Sequence, residues 1–134
     1  MNKGLFAIAI TGLFALGLVS AAGAFPAVYA TTITVDSSWC TGTGYSWVSP
    51  TCTLTTTYTV ALGNTLEIPS GTTLVISGSG EIVFASGGGA IQVDNGGVIT
   101  IENSGAYGIY GYGTITNTGT ITIEDSGTYG IWNG

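Results

Sequence analysis

The chain has 134 residues and a formal net charge of −6, because seven Asp and Glu residues stand against a single cationic side chain, Lys3. Beyond Lys3 there is no Lys, Arg or His, so the chain lacks the cations with which proteins bind nucleic acids or dock on anionic lipids. Hydrophobic residues make up 45% of the sequence, which argues against disorder despite the sparse charge.

Residues 1–30 have the pattern of a targeting segment. Lys3 precedes an apolar run over residues 4–24, and Val28-Tyr29-Ala30 offers a cleavage site that places the mature start at Thr31. Ala22-Gly23-Ala24 is a second candidate site. We therefore expect a signal-peptide helix, and a protein that is secreted or held at the cell surface.

Two alternatives stay open for this segment. The apolar run is long enough to span a bilayer, so it is also a candidate N-terminal anchor, in which case residues 4–24 alone would contact the membrane. Lys3-Gly4-Leu5 resembles the short basic leader of archaeal pilin-like proteins, which is removed before a hydrophobic assembly helix.

Residues 31–62 are irregular and contain the two cysteines of the chain, Cys40 and Cys52. In an exported protein, an even pair at short spacing predicts a disulfide bond. A zinc site is disfavoured because no His and no further Cys complete four ligands. Trp39, Tyr45 and Trp47 lie close to the cysteines in sequence, and we expect this part to form a cap over the end of a repeat structure.

Residues 63–134 alternate between short apolar triplets and Gly-rich turns. One phrase occurs twice, since residues 99–109 return almost unchanged as residues 121–131, offset by 22 residues. A fixed period of this size is typical of a stacked solenoid. We predict an all-β, single-stranded parallel β-helix of about four coils, with three short strands and three corners per coil.

The offset of 22 predicts which residues lie one above the other in neighbouring coils. These pairs are Val93 with Ile115, Asn95 with Asn117, Gly97 with Gly119, Glu102 with Glu124, and Tyr107 with Tyr129. The two asparagines are expected to form an amide ladder at a corner. The alternative fold is an antiparallel β-sandwich, which many short strands with Gly turns also suit.

The phrase Gly113-Thr-Ile-Thr-Asn-Thr-Gly-Thr-Ile121 resembles the repeats of secreted parallel β-helix proteins of microbial cell surfaces, including adhesins and autotransporter passenger domains. Residues 63–76 are similar to lead-in coils of the same proteins. The resemblance implies the fold and a surface location, but its members differ widely in function. Because the chain stops at Asn133-Gly134, mid-coil by this count, it is expected to be a fragment of a longer repeat protein, or else to dock another chain at that end.

Two groups of side chains are candidate ligand sites. The first is an aromatic band that could stack on sugar rings or simply stabilise neighbouring coils, comprising Tyr107, Tyr110, Tyr112, Tyr129 and Trp132. The second is an acidic group at stacked corners, in which Glu102, Glu124 and Asp125 are candidate Ca²⁺ ligands. Its alternative is a solvated corner where Asn103 and Asp125 make turns.

Catalysis is not expected, because the chain beyond the leader has no basic side chain and no free thiol to pair a nucleophile with a base. We therefore predict a non-enzymatic structural or adhesive module that needs no cofactor, apart from Ca²⁺ if the acidic group binds it. Extracellular polysaccharides and surface proteins are the expected partners. The alternatives are a carbohydrate-binding module that uses the aromatic band, and a subunit that polymerises end to end.

Overall fold

The computed structural model describes residues 29–134, so the predicted targeting segment and its apolar run over residues 4–24 lie outside the described residues. The described part contains thirteen strands and one short helix. In chain order they are β1 (Thr32–Thr34), α1 (Ser37–Gly42), β2 (Ser46–Val48), β3 (Thr51–Leu54), β4 (Thr57–Val60), β5 (Thr65–Ile68), β6 (Thr73–Ser77), β7 (Glu81–Phe84), β8 (Ala90–Val93), β9 (Val98–Glu102), β10 (Tyr107–Gly111), β11 (Thr114–Asn117), β12 (Thr120–Glu124) and β13 (Tyr129–Asn133).

The strands form the three faces of a prism. Sheet A has the order β1-β5-β8-β11, sheet B has β2-β3-β6-β9-β12, and sheet C has β4-β7-β10-β13. From β3 onward the chain visits sheets B, C and A in turn, and every pairing is parallel except that of β2 with β3. The predicted parallel β-helix is confirmed and the β-sandwich is wrong, although the solenoid has about three turns rather than four.

The core of the prism is built from apolar side chains that alternate with outward-facing ones along most of the strands, as in β5, β6 and β7. Because neighbouring strands are in register, the inward residues form columns, and one column contains Cys52, Leu74, Ile99 and Ile121. The first three are completely buried, while Ile121 is only partly buried. Each fully buried aliphatic side chain contributes roughly 1.5–3 kcal/mol, so the columns stabilise the stack.

The period of the solenoid is not constant, and this corrects part of the predicted alignment. The offset of 22 residues holds where Glu102 pairs with Glu124 and Tyr107 with Tyr129. In sheet A, however, Ile91 pairs with Ile115 and Val93 pairs with Asn117, an offset of 24 residues. The predicted pairing of Val93 with Ile115 and the Asn95–Asn117 ladder are therefore wrong, because the corners differ in length from one turn to the next.

The disulfide bond links the segment before the first complete turn to the solenoid. Cys40 on α1 and Cys52 on β3 are joined, as predicted, and both are completely buried. Asp36 caps α1 by accepting a hydrogen bond from the backbone N–H of Trp39 at 2.8 Å. A disulfide of this kind is typical of an oxidising, non-cytoplasmic environment.

Aromatic side chains join this segment to the solenoid. The ring of Trp39 contacts those of Tyr45 and Tyr58, with centroids 5.7 and 5.0 Å apart. Strand β2 pairs antiparallel with β3 and so covers the edge of sheet B. Across residues 29–134, no helix is both long enough and apolar enough to span a membrane.

Candidate functional site

Four aromatic side chains lie together on the outer surface of sheet C. In β10, Gly108 and Ile109 are both buried, whereas Tyr107 and Tyr110 on either side of them are not. This places two tyrosines of one strand on the same face, three residues apart. Strand β13 repeats the arrangement one turn later, with Tyr129 beside Tyr107 and Trp132 beside Tyr110.

The rings of these residues stack along the axis of the prism. Tyr107 and Tyr129 are nearly parallel, at 10° and with centroids 5.9 Å apart. Tyr110 and Trp132 stack at 22° and 5.0 Å. In each pair, one face of each ring is therefore covered by the partner ring, which favours the interpretation of the band as a ladder that stabilises neighbouring turns.

Tyr112, the fifth member of the predicted band, is placed differently. It follows β10 at the corner between sheets C and A, and its ring meets Trp132 edge to face at 83°, with centroids 5.6 Å apart. Its side chain is 64% exposed, the largest exposure among the five aromatic residues. The structure thus brings all five predicted residues together, but only Tyr112 lies at a corner.

Beside Tyr112 an open groove of about 480 Å³ runs along the corner between sheets C and A. It crosses three successive turns, and we call it the corner groove. None of its lining residues is charged, and they are Leu62, Gly63, Asn64, Thr65, Gly87, Gly88, Gly89, Ala90, Tyr112, Gly113 and Thr114.

Glycines make the floor of the corner groove. A side chain at Gly113 would overlap the ring of Phe84 beneath it, so only Gly fits there. Gly88 has a φ of +99°, a conformation that L side chains rarely adopt. The side-chain amide of Asn133 fixes the corner that carries Tyr112, since it accepts from Gly113 N at 3.1 Å and donates to Gly113 O at 3.0 Å.

One wall of the corner groove is a column of small side chains on sheet A. Thr65, Ala90 and Thr114 are in register on neighbouring strands. Ala90 is the smallest of the three and lies in the middle. The side-chain hydrogen bonds found among residues 29–134 do not use Asn64, Thr65 or Thr114, so these polar groups are available to a ligand.

A smaller pocket of about 190 Å³ lies at the corner between sheets B and C, lined by Ser79, Gly80, Glu81, Gly105, Ala106 and Tyr107. Partial burial raises the pKa of the Glu81 carboxyl above its ordinary value, because burial disfavours the charged form. This pocket combines one carboxylate with one aromatic ring, that of Tyr107, which also stacks on Tyr129.

The acidic residues predicted as Ca²⁺ ligands lie near the same corner. Glu102 and Glu124 are direct neighbours in β9 and β12. Asn103 and Asp125 have φ values of 47° and 50°, which confirms that they make turns. In the part of the chain that the structure describes, no three acidic, Cys or His side chains converge to hold a metal, and Ca²⁺ binding stays a prediction.

Comparisons with protein-family models, with curated proteins and with solved structures give no match to this chain. The fold therefore defines the class by itself, and the class is a disulfide-linked parallel β-solenoid. The resemblance to adhesin-type repeats remains one of sequence phrases.

Sequence reasoning found the aromatic band but missed the corner groove. The run Ser86-Gly-Gly-Gly89 is one of the Gly-rich turns that the sequence predicts, and no sequence pattern marks Leu62 or Asn64 as a site residue. Three consecutive glycines in a corner were the available indication, because such a run leaves a surface without side chains.

Proposed function

We propose that this protein is a non-enzymatic, secreted or cell-surface β-solenoid that serves as a structural and adhesive module, related in design to the adhesin and autotransporter repeats that its phrases resemble. The observation that supports this best is a prism that carries the outward aromatic band beside an uncharged groove. Repeat proteins of this kind commonly bind their partners through such an extended surface.

Chemical composition supports a non-enzymatic role. Residues 4–134 contain no His, Lys or Arg, so general-base and electrophilic roles would fall to carboxylates and hydroxyls alone. Both cysteines are in the disulfide, which removes thiol nucleophiles from the described residues.

The proposal is tested by producing the full chain with its leader in a host that has an oxidising export pathway. We expect to find the chain in the medium or on the cell surface, with its disulfide formed. We also expect cells that display the chain to adhere to polysaccharide-coated surfaces. The control is a disulfide-linked domain of similar size and charge, and cells that display it are expected to adhere less. Retention in the cytoplasm, or adhesion equal to that control, would contradict the proposal.

A carbohydrate-binding module that uses the aromatic band is the second candidate. Tyr129 is 52% exposed and Tyr110 is 36% exposed, so these rings still reach solvent. If the band binds sugar through them, Tyr129→Ala will weaken binding in a glycan pull-down, whereas a ladder with a purely structural role will show only a lower melting temperature.

A further inference from the structure

Among the five residues of the aromatic band, only one has a ring that is both highly exposed and next to a large groove. Tyr107, Tyr110, Tyr129 and Trp132 are paired face to face, and stacking of this kind competes with stacking on a ligand. Tyr112 is outside both stacks and forms part of the corner groove. The position best suited to hold a ring-shaped ligand is therefore the corner, not the flat face of sheet C.

The length of the corner groove limits the size of the ligand. The groove crosses three neighbouring turns, and neighbouring strands are about 4.8 Å apart, so it extends roughly 10 Å along the prism. This is about the length of a disaccharide unit. The groove runs across the strands, so an extended peptide would find no strand edge there with which to pair.

The chemistry of the lining selects an uncharged, polyhydroxylated ligand. Asn64, Thr65 and Thr114 supply amide and hydroxyl groups that both donate and accept hydrogen bonds. A charged group in the groove would lose water without gaining a partner of opposite charge. An anionic ligand would in addition be repelled by the acidic chain, whose net charge is −6.

We propose that the corner groove is a binding site for a neutral polysaccharide, with one sugar ring against Tyr112 and the sugar hydroxyls bonded to Asn64, Thr65 and Thr114. The inference rests on the proposed adhesive function, to which it assigns a ligand class. Asn133 is a positioning residue, because its amide holds the corner that presents Tyr112.

The test uses the full chain and isothermal titration calorimetry with four hexasaccharides. Cellohexaose, xylohexaose and mannohexaose are the neutral probes, and hexagalacturonate is the acidic one. We expect at least one neutral probe to bind and hexagalacturonate not to bind. Tyr112→Ala is expected to weaken that binding about tenfold, in line with the loss of one aromatic stacking contact.

Two substitutions on one strand distinguish binding in the corner groove from binding elsewhere on the outer surface of sheet A. Thr114 and Thr116 both lie on β11, and both are exposed, but only Thr114 lines the groove. Thr114→Gln places a longer side chain in the groove and is expected to weaken binding, whereas Thr116→Gln is expected to leave it unchanged. Circular dichroism melts of both variants check that they fold equally.

Several outcomes would overturn the inference. The first two are that no neutral hexasaccharide binds and that hexagalacturonate binds better than the neutral probes. The third is that Thr114→Gln and Thr116→Gln weaken binding equally. The fourth is that Tyr129→Ala weakens binding more than Tyr112→Ala does, which would assign binding to the aromatic band. If displaying cells still adhere while no neutral probe binds, only the groove assignment fails. If the cells do not adhere, the proposed function fails.

Discussion

At the scale of single residues, two glycines in β10 and β13 set the position of the aromatic face. A side chain at Gly108 would overlap that of Ile101, and one at Gly130 would overlap that of Ile123, so each strand approaches sheet B closely. In β10 this close approach lets two consecutive residues be buried, and each of the two strands presents two aromatic rings on its outer surface.

We expect Gly108→Ala to destabilise the protein by about 1–3 kcal/mol, because the added methyl group must displace a completely buried isoleucine. The measurement is urea denaturation followed by circular dichroism. Gly42→Ala is the matched control, since nothing lies within 4 Å of its added carbon. Equal stability of the two variants would show that the core accepts the methyl group without rearrangement.

The Glu81 carboxyl gives a prediction about pH. Its pKa is raised by burial, so the folded state holds this proton more tightly than the unfolded state does. Folding is therefore favoured by protonation, and the stability due to this group falls as pH rises from the ordinary carboxyl pKa through the raised one.

Glu81→Gln removes this titration. We expect the variant to be slightly more stable than the parent at pH 7 and no more stable at pH 3, with thermal melts at both values as the measurement. Asp125→Asn, at an exposed position where Asn103 has the same backbone conformation one turn earlier, serves as the control. A variant that loses stability at pH 7 would mean that the ionised Glu81 carboxylate stabilises the fold.

At the scale of elements, α1 depends on the disulfide bond more than the strands do. The helix has six residues, too few to be stable by itself. The bond links it to β3 across a sequence separation of 12 residues. In contrast, β1, β3 and β4 are held in place by their parallel pairing with β5, β6 and β7.

We expect reduction of the Cys40–Cys52 bond to lower the free energy of unfolding by about 3 kcal/mol, the loop-closure value for a loop of this size. Guanidinium unfolding with and without dithiothreitol measures this difference. A Cys40→Ala, Cys52→Ala double variant, measured without reductant, controls for effects of dithiothreitol itself. Coincident unfolding curves would mean that packing around Trp39 is sufficient to hold α1 in place.

The sequence allowed the strands to be predicted better than the corners. The repeated phrase at residues 99–109 and 121–131 copies one strand, one corner and the next strand, so the register of β9 with β12 and of β10 with β13 followed from it. The corners between sheets C and A have no such repeat, since they comprise residues 61–64, 85–89 and 112–113.

This difference explains which part of the site was predictable. The aromatic rings lie on repeated strands, where equal spacing implies equal position. The corner groove is formed by three unequal corners, and Leu62, Gly88 and Tyr112 share no motif that would place them together. Their proximity follows from the stacking of turns and not from local sequence.

At the scale of the whole molecule, stability is distributed along columns that run through the turns. A residue in a middle turn has neighbours above and below, whereas β12 has a parallel neighbour on one side only among the described residues. Ile99 and Ile121 belong to one column, and the first is completely buried while the second is partly buried.

We expect Ile99→Ala to lower the free energy of unfolding by about 2–5 kcal/mol, the usual loss when a buried aliphatic side chain is truncated to Ala. Ile121→Ala is expected to lower it clearly less. Because the two substitutions are chemically identical and lie in one column, the comparison isolates the effect of position. Urea denaturation provides both values. Equal losses would indicate that the β12 turn is covered in solution as well as the middle turns are.

The unequal corners also have a practical consequence. Corners between sheets C and A range from two residues to five without disturbing the register of the flanking strands. Length variation is thus already accommodated at this edge. Foreign peptides grafted between Gly87 and Gly88 should leave the scaffold intact, which would make the protein a carrier for epitope display.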